Sequence, residues 1–245
     1  MPPIKLVIFD FDGTLFDTHR SISHCIKLTF DKLLPAQAPS EAEVHRLISS
    51  GAGLQDTFRA LHPTATEDAS HGDSSFDVDK WTANYRVLYA NHGQPLITPF
   101  PGAAELLATL RARDIPAAIV SNKGVRAVVT TLRNNGLGDG VGEDLIVGDQ
   151  TPGATRKPDP GSYTNVLLPA MRARGWTNAE EPIDDSSVLV VGDTEADIQF
   201  AANIGGAVSV WCRYGYGDKG ACEELGPGFT VDSLGEIEGI IDGLS

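Results

Sequence analysis

The 245-residue sequence is short of cysteine, short of positive charge and without a long apolar run. Its three cysteines, Cys25, Cys212 and Cys222, are odd in number and make no C-x-x-C pair. Neither a disulfide framework nor a zinc site is indicated, and thiols in a reducing compartment are expected. No apolar stretch approaches the ~20 residues of a membrane-spanning helix. Before the first apolar run only Lys5 is basic, which is not a signal-peptide pattern. The expectation is a soluble, cytoplasmic protein. Lys and Arg number 19 against 33 Asp and Glu, a formal net charge of -14. Nucleic acid and anionic membranes both attract Lys/Arg patches, so neither is expected as a partner. An anionic ligand would need local cations to overcome this field. The G-x-G-x-x-G turn of a dinucleotide fold is missing too, because FDGT follows the first apolar run. No internal repeat is found.

Five short apolar runs are present: Lys5–Phe11, Ala117–Asn122, Asp144–Asp149, Ser187–Asp193 and Ala207–Cys212. They are continuous rather than alternating, as strands buried on both faces are. Helical spacing lies between several of them, at Ala103–Arg113, Val125–Asn135 and Thr194–Ile204, the last closed by Gly205-Gly206. The alternation predicts an α/β core, a Rossmann-like parallel sheet with helices on both faces. Residues 18–98 break it with helical patterns at His19–Leu34, Glu41–Ser50, Leu54–Leu61 and Val78–Asn91. The expected organisation is a core of 1–17 and 99–245 with an all-helical insertion at 18–98. Within the insertion, Pro63–Ser75 reads as a polar loop. Trp81, Tyr85 and Tyr89 recur at helical spacing, as core aromatics do. His62, His71, Asp73, Asp77 and Asp79 fit no standard metal template.

The reactive residues gather at the carboxyl ends of the runs, where open parallel sheets bind ligands. Asp10 and Asp12 close the first. Residues i and i+2 of a strand point to one side, so these carboxylates should repel. The repulsion is removed if one is protonated or a cation lies between them. A hard divalent ion such as Mg²⁺ prefers oxygen ligands and would serve. Asp12-Gly13 also reads as a hairpin turn, but that leaves Asp10 unexplained. Ser121-Asn122-Lys123 and Gly192-Asp193 close two further runs. Lys157 lies in GATRKPDP between two prolines. Asp197 follows Asp193 by one helical turn, and Thr194-x-x-Asp197 resembles a capping box.

DFDGT after an apolar strand resembles the first signature of the haloacid dehalogenase superfamily of phosphohydrolases. Ser121, Lys157 in RKPDP, and GDTEAD at residues 192–197 match its later signatures in order. With DFDGTLFDT, VSNK, VGDTEADI and the closing FTVDSLGEI, the sequence is similar to the phosphoglycolate phosphatase group. The resemblance implies that Asp10 is the nucleophile, forming an aspartyl-phosphate. It implies that Asp12 is the general acid and base, and that Ser121 and Asn122 bind phosphate. Lys157 would stabilise the nucleophile and the phosphoryl charge. Mg²⁺ would be held by Asp10, Asp12 and Asp193, with Asp197 supporting.

The resemblance also makes 18–98 a cap of the helical C1 type that closes over the site. Ser49–Leu54 (SSGAGL), with Gly51 and Gly53, is similar to the substrate loop of such caps, and reads equally as a connection between helices. Arg46 and Arg59 flank it. They could meet a substrate carboxylate bidentately, or simply be exposed helix charges. The expected partner is a small phosphorylated metabolite, 2-phosphoglycolate or a similar monoester, and the expected state is monomer or homodimer. A phosphosugar mutase of the β-phosphoglucomutase kind, and a pyrophosphatase or nucleotidase of the same superfamily, are the alternatives.

Overall fold

Leu6-Val7-Ile8-Phe9 offers no polar side chain to solvent, and all four residues are buried in strand β1 (Leu6–Phe9). The computed structural model describes residues 2–63, 76–177 and 182–244. The chain divides into two compact units, Met1–Asp17 with Thr98–Ser245, and Thr18–Ile97.

In the first unit, β2 (Phe16–Asp17) and β3 (Thr98–Pro99) pair antiparallel where the chain leaves and re-enters. The main sheet adds β4 (Ala117–Gly124), β5 (Ile146–Asp149), β6 (Val188–Gly192), β7 (Val208–Cys212) and β8 (Phe229–Val231). Its order is β5-β4-β1-β6-β7-β8, and every pairing is parallel. The register sets Val7 beside Ala117 on one side and Leu189 on the other. The expected α/β sheet is therefore observed. β1, β5, β6 and β7 are one to three residues shorter than their apolar runs, whereas β4 runs two residues past its own, to Gly124. β8 was not expected. It is three residues long and buries Val231 alone, too little for a pattern.

From β1 the chain moves out to β4 and β5, then returns to build β6, β7 and β8 on the opposite side. The order reverses at β1. In open parallel sheets such a switch point leaves a crevice beyond the carboxyl ends of the flanking strands.

The second unit holds helices α1 (His19–Leu33), α2 (Glu41–Ser49), α3 (Leu54–Leu61) and α4 (Val78–Leu88). Ser40 opens α2 in a capping box with Glu43, satisfying backbone N–H groups left over at the helix start. Phe30, Phe58 and Trp81 interlock at centroid distances of 4.7 Å (Phe30–Trp81) and 5.5 Å (Phe58–Trp81). Such pairs add about 0.5–1.5 kcal/mol beyond their burial. Trp81, Tyr85 and Tyr89 are buried, as their helical spacing predicts. α4 stops three residues earlier than its pattern and widens into a turn at Tyr89–Gly93. There Gly93 lies so close to α1 that a side chain would strike Cys25 and Ser21. The expected loop at Pro63–Ser75 falls, from residue 64 on, outside the described residues, as do His71 and Asp73.

In the first unit, α5 (Ala103–Ala112) buries Ala103, Leu106, Leu107 and Leu110, one face of a helix. α6 (Val125–Asn134) follows β4, and α7 (Leu168–Ala173) precedes β6. α8 (Glu195–Ile204) follows β6 and ends at Gly205, whose positive φ of 93° closes the helix. α9 (Lys219–Glu224) and α10 (Ile237–Gly243) complete the unit. Cys25, Cys212 and Cys222 are buried thiols. No helix among the described residues is long and apolar enough to cross a membrane.

Candidate active site

β1 ends at Phe9, and Asp10 extends its ladder by one bond, donating its backbone N–H to Val191 at 2.8 Å. The chain then turns. Gly13 takes a φ of 82° and donates to the carbonyl of Phe16 at 2.9 Å, while Phe11 stacks on Phe16 at 4.7 Å. The Asp12-Gly13 turn and the Asp10 carboxylate at the strand end thus coexist. A side chain on Gly13 would collide with the carboxylate of Asp193, so only glycine fits in both conformation and space.

Four charged residues from separate elements meet beyond the strand ends, each less than 9% exposed: Asp10, Lys157, Asp193 and Asp197. Lys157 Nζ donates to Asp10 at 2.5 Å and to Asp197 at 2.6 Å. Asp197 Oδ2 accepts from the backbone N–H of Thr194 at 3.0 Å and from its hydroxyl at 2.8 Å. One side chain therefore closes the start of α8 and orients the lysine. The capping and functional readings of Asp197 are the same geometry.

Asp193 is fixed from several sides. Its Oδ1 accepts from the Thr14 hydroxyl at 3.1 Å, and its Oδ2 from the Tyr216 backbone N–H at 2.7 Å. Its carbonyl accepts from the Trp211 indole at 3.1 Å. The loop after β7 can lie this close because Gly215 and Gly217 have no side chain to strike Asp193. Thr14, Tyr216, Trp211 and these glycines were not anticipated. The available signal was G-Y-G separated by two residues from the carboxyl end of a strand, where site loops lie.

Burial dominates the electrostatics. It pushes the Asp10 carboxyl up to about 7 against the pull of Lys157, with Asp197 and Asp12 pushing the same way as burial. Burial, then Asp10 and Asp197, also raise Asp193. Burial works against the Lys157 ammonium, but Asp10 and then Asp197 outweigh it and hold the charge. The site carries more negative charge than its cations offset, which suits a divalent cation. Carboxylate oxygens of Asp10, Asp193 and Asp197 lie within 4.8 Å of one another. Hard cations such as Mg²⁺ take oxygen donors of this kind.

Ser121 is buried within β4, where the apolar run gives way to polar residues, and its Oγ accepts from the Lys123 backbone N–H at 3.2 Å. Asn122 directs its side chain to the main chain of Lys157, accepting from the N–H at 3.0 Å. Lys123, not singled out beforehand, reaches both carboxylate oxygens of Asp12, at 3.0 and 3.3 Å. Asp10 and Asp12 therefore each pair with a lysine, Lys157 and Lys123. The remaining candidates belong to the helical unit. Arg46 is exposed on α2. Arg59 is exposed on α3 and donates to Asp56 at 2.9 Å. Gly51, with a φ of 66°, turns the chain after α2, and Gly53 starts α3.

With this geometry stand three comparisons. The family model for haloacid dehalogenase-like hydrolases matches residues 7–210. A phosphoglycolate phosphatase of Thiobacillus denitrificans is 31% identical over 234 residues, covering 96% of this chain and 94% of the relative. One from Neisseria meningitidis serogroup A is 27% identical over 237 residues, covering 96% and 92%. Among solved structures, a predicted phosphoglycolate phosphatase from Haemophilus somnus superposes with a TM-score of 0.77 at 21% identity, covering 98% of this chain and 99% of its own. That likeness shows the fold. The match across most of the sequence shows the family: the chain belongs to the haloacid dehalogenase-like hydrolases.

Proposed function

We propose that this protein is a Mg²⁺-dependent phosphatase that hydrolyses a small phosphate monoester, 2-phosphoglycolate or a close analogue, through an aspartyl-phosphate on Asp10. The observation that carries the reading is the buried pair of Asp10 and Lys157, tied in turn to Asp197. The names of the curated relatives support the substrate class.

Uncatalysed hydrolysis of phosphate monoesters is among the slowest reactions known, and most of its catalysis lies in positioning and charge stabilisation. In this reading an Asp10 oxygen attacks phosphorus and the bond to the leaving oxygen breaks. Asp12 gives that oxygen its proton. Asp12 then takes a proton from water as the water oxygen attacks phosphorus, which releases phosphate and restores Asp10. Such proton transfer is worth ~10²–10⁴ in rate. Lys157 holds the nucleophile and meets the charge on the phosphoryl oxygens. Ser121 donates its hydroxyl to one of those oxygens, joined by backbone N–H groups at the ends of β1 and β4. Asn122 fixes the loop that carries Lys157. Asp10, Asp193 and the Asp12 carbonyl would hold Mg²⁺, which when bound supplies positive charge to the nucleophile and the transferring phosphoryl group. The helical unit, through Arg46, Gly51, Gly53 and Arg59, is assigned the choice of substrate.

The test is phosphate release with Mg²⁺ from 2-phosphoglycolate, sugar phosphates, nucleoside monophosphates, pyrophosphate and an aryl phosphate. Preference for 2-phosphoglycolate is expected. Asp10→Asn should abolish release, because an amide cannot form the acyl-phosphate. Retained activity of that variant in a clean preparation would overturn the assignment of Asp10. Uniformly poor release together with primed phosphosugar isomerisation would replace the phosphatase by a mutase.

A further inference from the structure

The ion pair between Lys123 and Asp12 lies outside every role assigned above. Its geometry is built rather than incidental. β4 and β5 pair regularly through Val120 and Val147, and next at Gly124 and Asp149. β4 thus advances four residues where β5 advances two. A bulge of this kind bends the strand and re-aims its side chains, and bulges concentrate next to active sites. Three successive residues of this bulge take three different partners. Ser121 accepts from the Lys123 N–H, Asn122 grips the main chain of Lys157, and Lys123 straddles both oxygens of Asp12. Across the sheet, Gly148 allows the distortion, since a side chain there would lie 2.5 Å from the Lys123 carbonyl. The Lys123 side chain is only 9% exposed, against 22% for Asp12, so little solvent competes for the pair.

We infer that Lys123 is a positioning residue for Asp12, holding its carboxylate in the orientation from which it passes protons in both halves of the reaction. The inference rests on the phosphatase reading and adds a residue to it. Asp12 opens a turn and has no strand ladder of its own to fix it, beyond an isolated bridge to Phe16. A cation that contacts both oxygens restricts rotation of the carboxylate, as a single contact does not. The effect concerns proton delivery, so it depends on the leaving group. An alkoxide must be protonated as it departs. A p-nitrophenolate is stable unprotonated and leaves without help.

The experiment is single-turnover release of alcohol from 2-phosphoglycolate and of p-nitrophenolate from p-nitrophenyl phosphate, both with Mg²⁺. Lys123→Met should slow the alkyl substrate by ~10²-fold, the lower range for loss of general acid catalysis. The aryl substrate should slow by less than about threefold, with KM for both within about threefold, the pattern of an interaction that acts on chemistry rather than binding. Lys123→Arg, which keeps a cation, should recover most of the alkyl rate. In an Asp12→Asn background Lys123→Met should cost nothing further, since residues acting as a unit are not additive. Equal loss on both substrates, a rise in KM alone, or multiplying losses in the double variant would each overturn the proposal. A wild-type enzyme inactive on both substrates, or an active Asp10→Asn variant, would instead overturn the phosphatase reading.

Discussion

The charged cluster beyond the strand ends and the surface of the helical unit hold their ion pairs in opposite ways. In the α/β unit Asp10, Lys157, Asp193 and Asp197 are buried, and Lys157 bridges two carboxylates. In the helical unit Arg59 pairs with Asp56 one turn away, with both side chains about half exposed at 51% and 54%. Breaking a buried pair by removing one partner typically costs about 3–5 kcal/mol, because an uncompensated charge stays behind. An exposed pair is worth about 0.2–1 kcal/mol. Removing charge from this buried cluster therefore risks the fold, which removing an exposed pair does not. The second unit can exchange its surface arginines with little risk to stability.

The largest effect that would test this contrast is Lys157→Met. It leaves Asp10 and Asp197 buried without their shared cation. Unfolding free energy is expected to fall by about 3–5 kcal/mol, and phosphate release by at least ~10²–10³-fold. Denaturant titration and initial rates measure both. A variant as stable as the wild type would break the contrast.

Metal and pH sharpen it next. The Asp10 carboxyl ordinarily titrates at 3.8 and is pushed up to about 7, first by burial. Between these values the unfolded chain has already lost the proton that the folded chain keeps. The unfolded state binds fewer protons there, so stability falls as pH rises through the window. Asp193 is raised as well and acts in the same direction. The metal-free protein is expected to show a lower Tm at pH 8 than at pH 5.5. Mg²⁺ should raise Tm more at pH 8, because binding needs the deprotonated carboxylates. A Tm of the chelated protein that is flat with pH would contradict the electrostatics described here.

What could be read from the sequence follows the same division. Continuous apolar runs such as Leu6–Phe9 and Val188–Gly192 identify buried parallel strands, because both faces are covered and no alternation is needed. The polar residues that end them, Asp10, Ser121 and Asp193, were legible because polarity in that position has few structural uses. Lys123 was not. Its role depends on a bulge between β4 and β5, and register is a property of two strands, not of one segment. Tyr216 was hidden for a related reason, since it holds Asp193 through a backbone N–H that any residue carries. β8 escaped because three residues with one buried side chain make no period. In the helical unit the burial of Trp81, Tyr85 and Tyr89 followed from helical spacing, whereas Arg46 and Arg59 had no pattern to separate a ligand contact from a solvated helix charge.

The smallest expected effect on stability addresses that last ambiguity. Arg59→Ala removes one exposed partner of an i,i+3 pair, so unfolding free energy should change by less than about 1 kcal/mol. Arg46→Ala, on an exposed face of α2, should do no more. If these arginines choose the substrate, either variant raises KM for carboxylate-bearing phosphates while leaving a small aryl phosphate unaffected. An effect confined to KM would mark binding shared by ground state and transition state. Equal losses on both substrates would make the arginines ordinary surface charge.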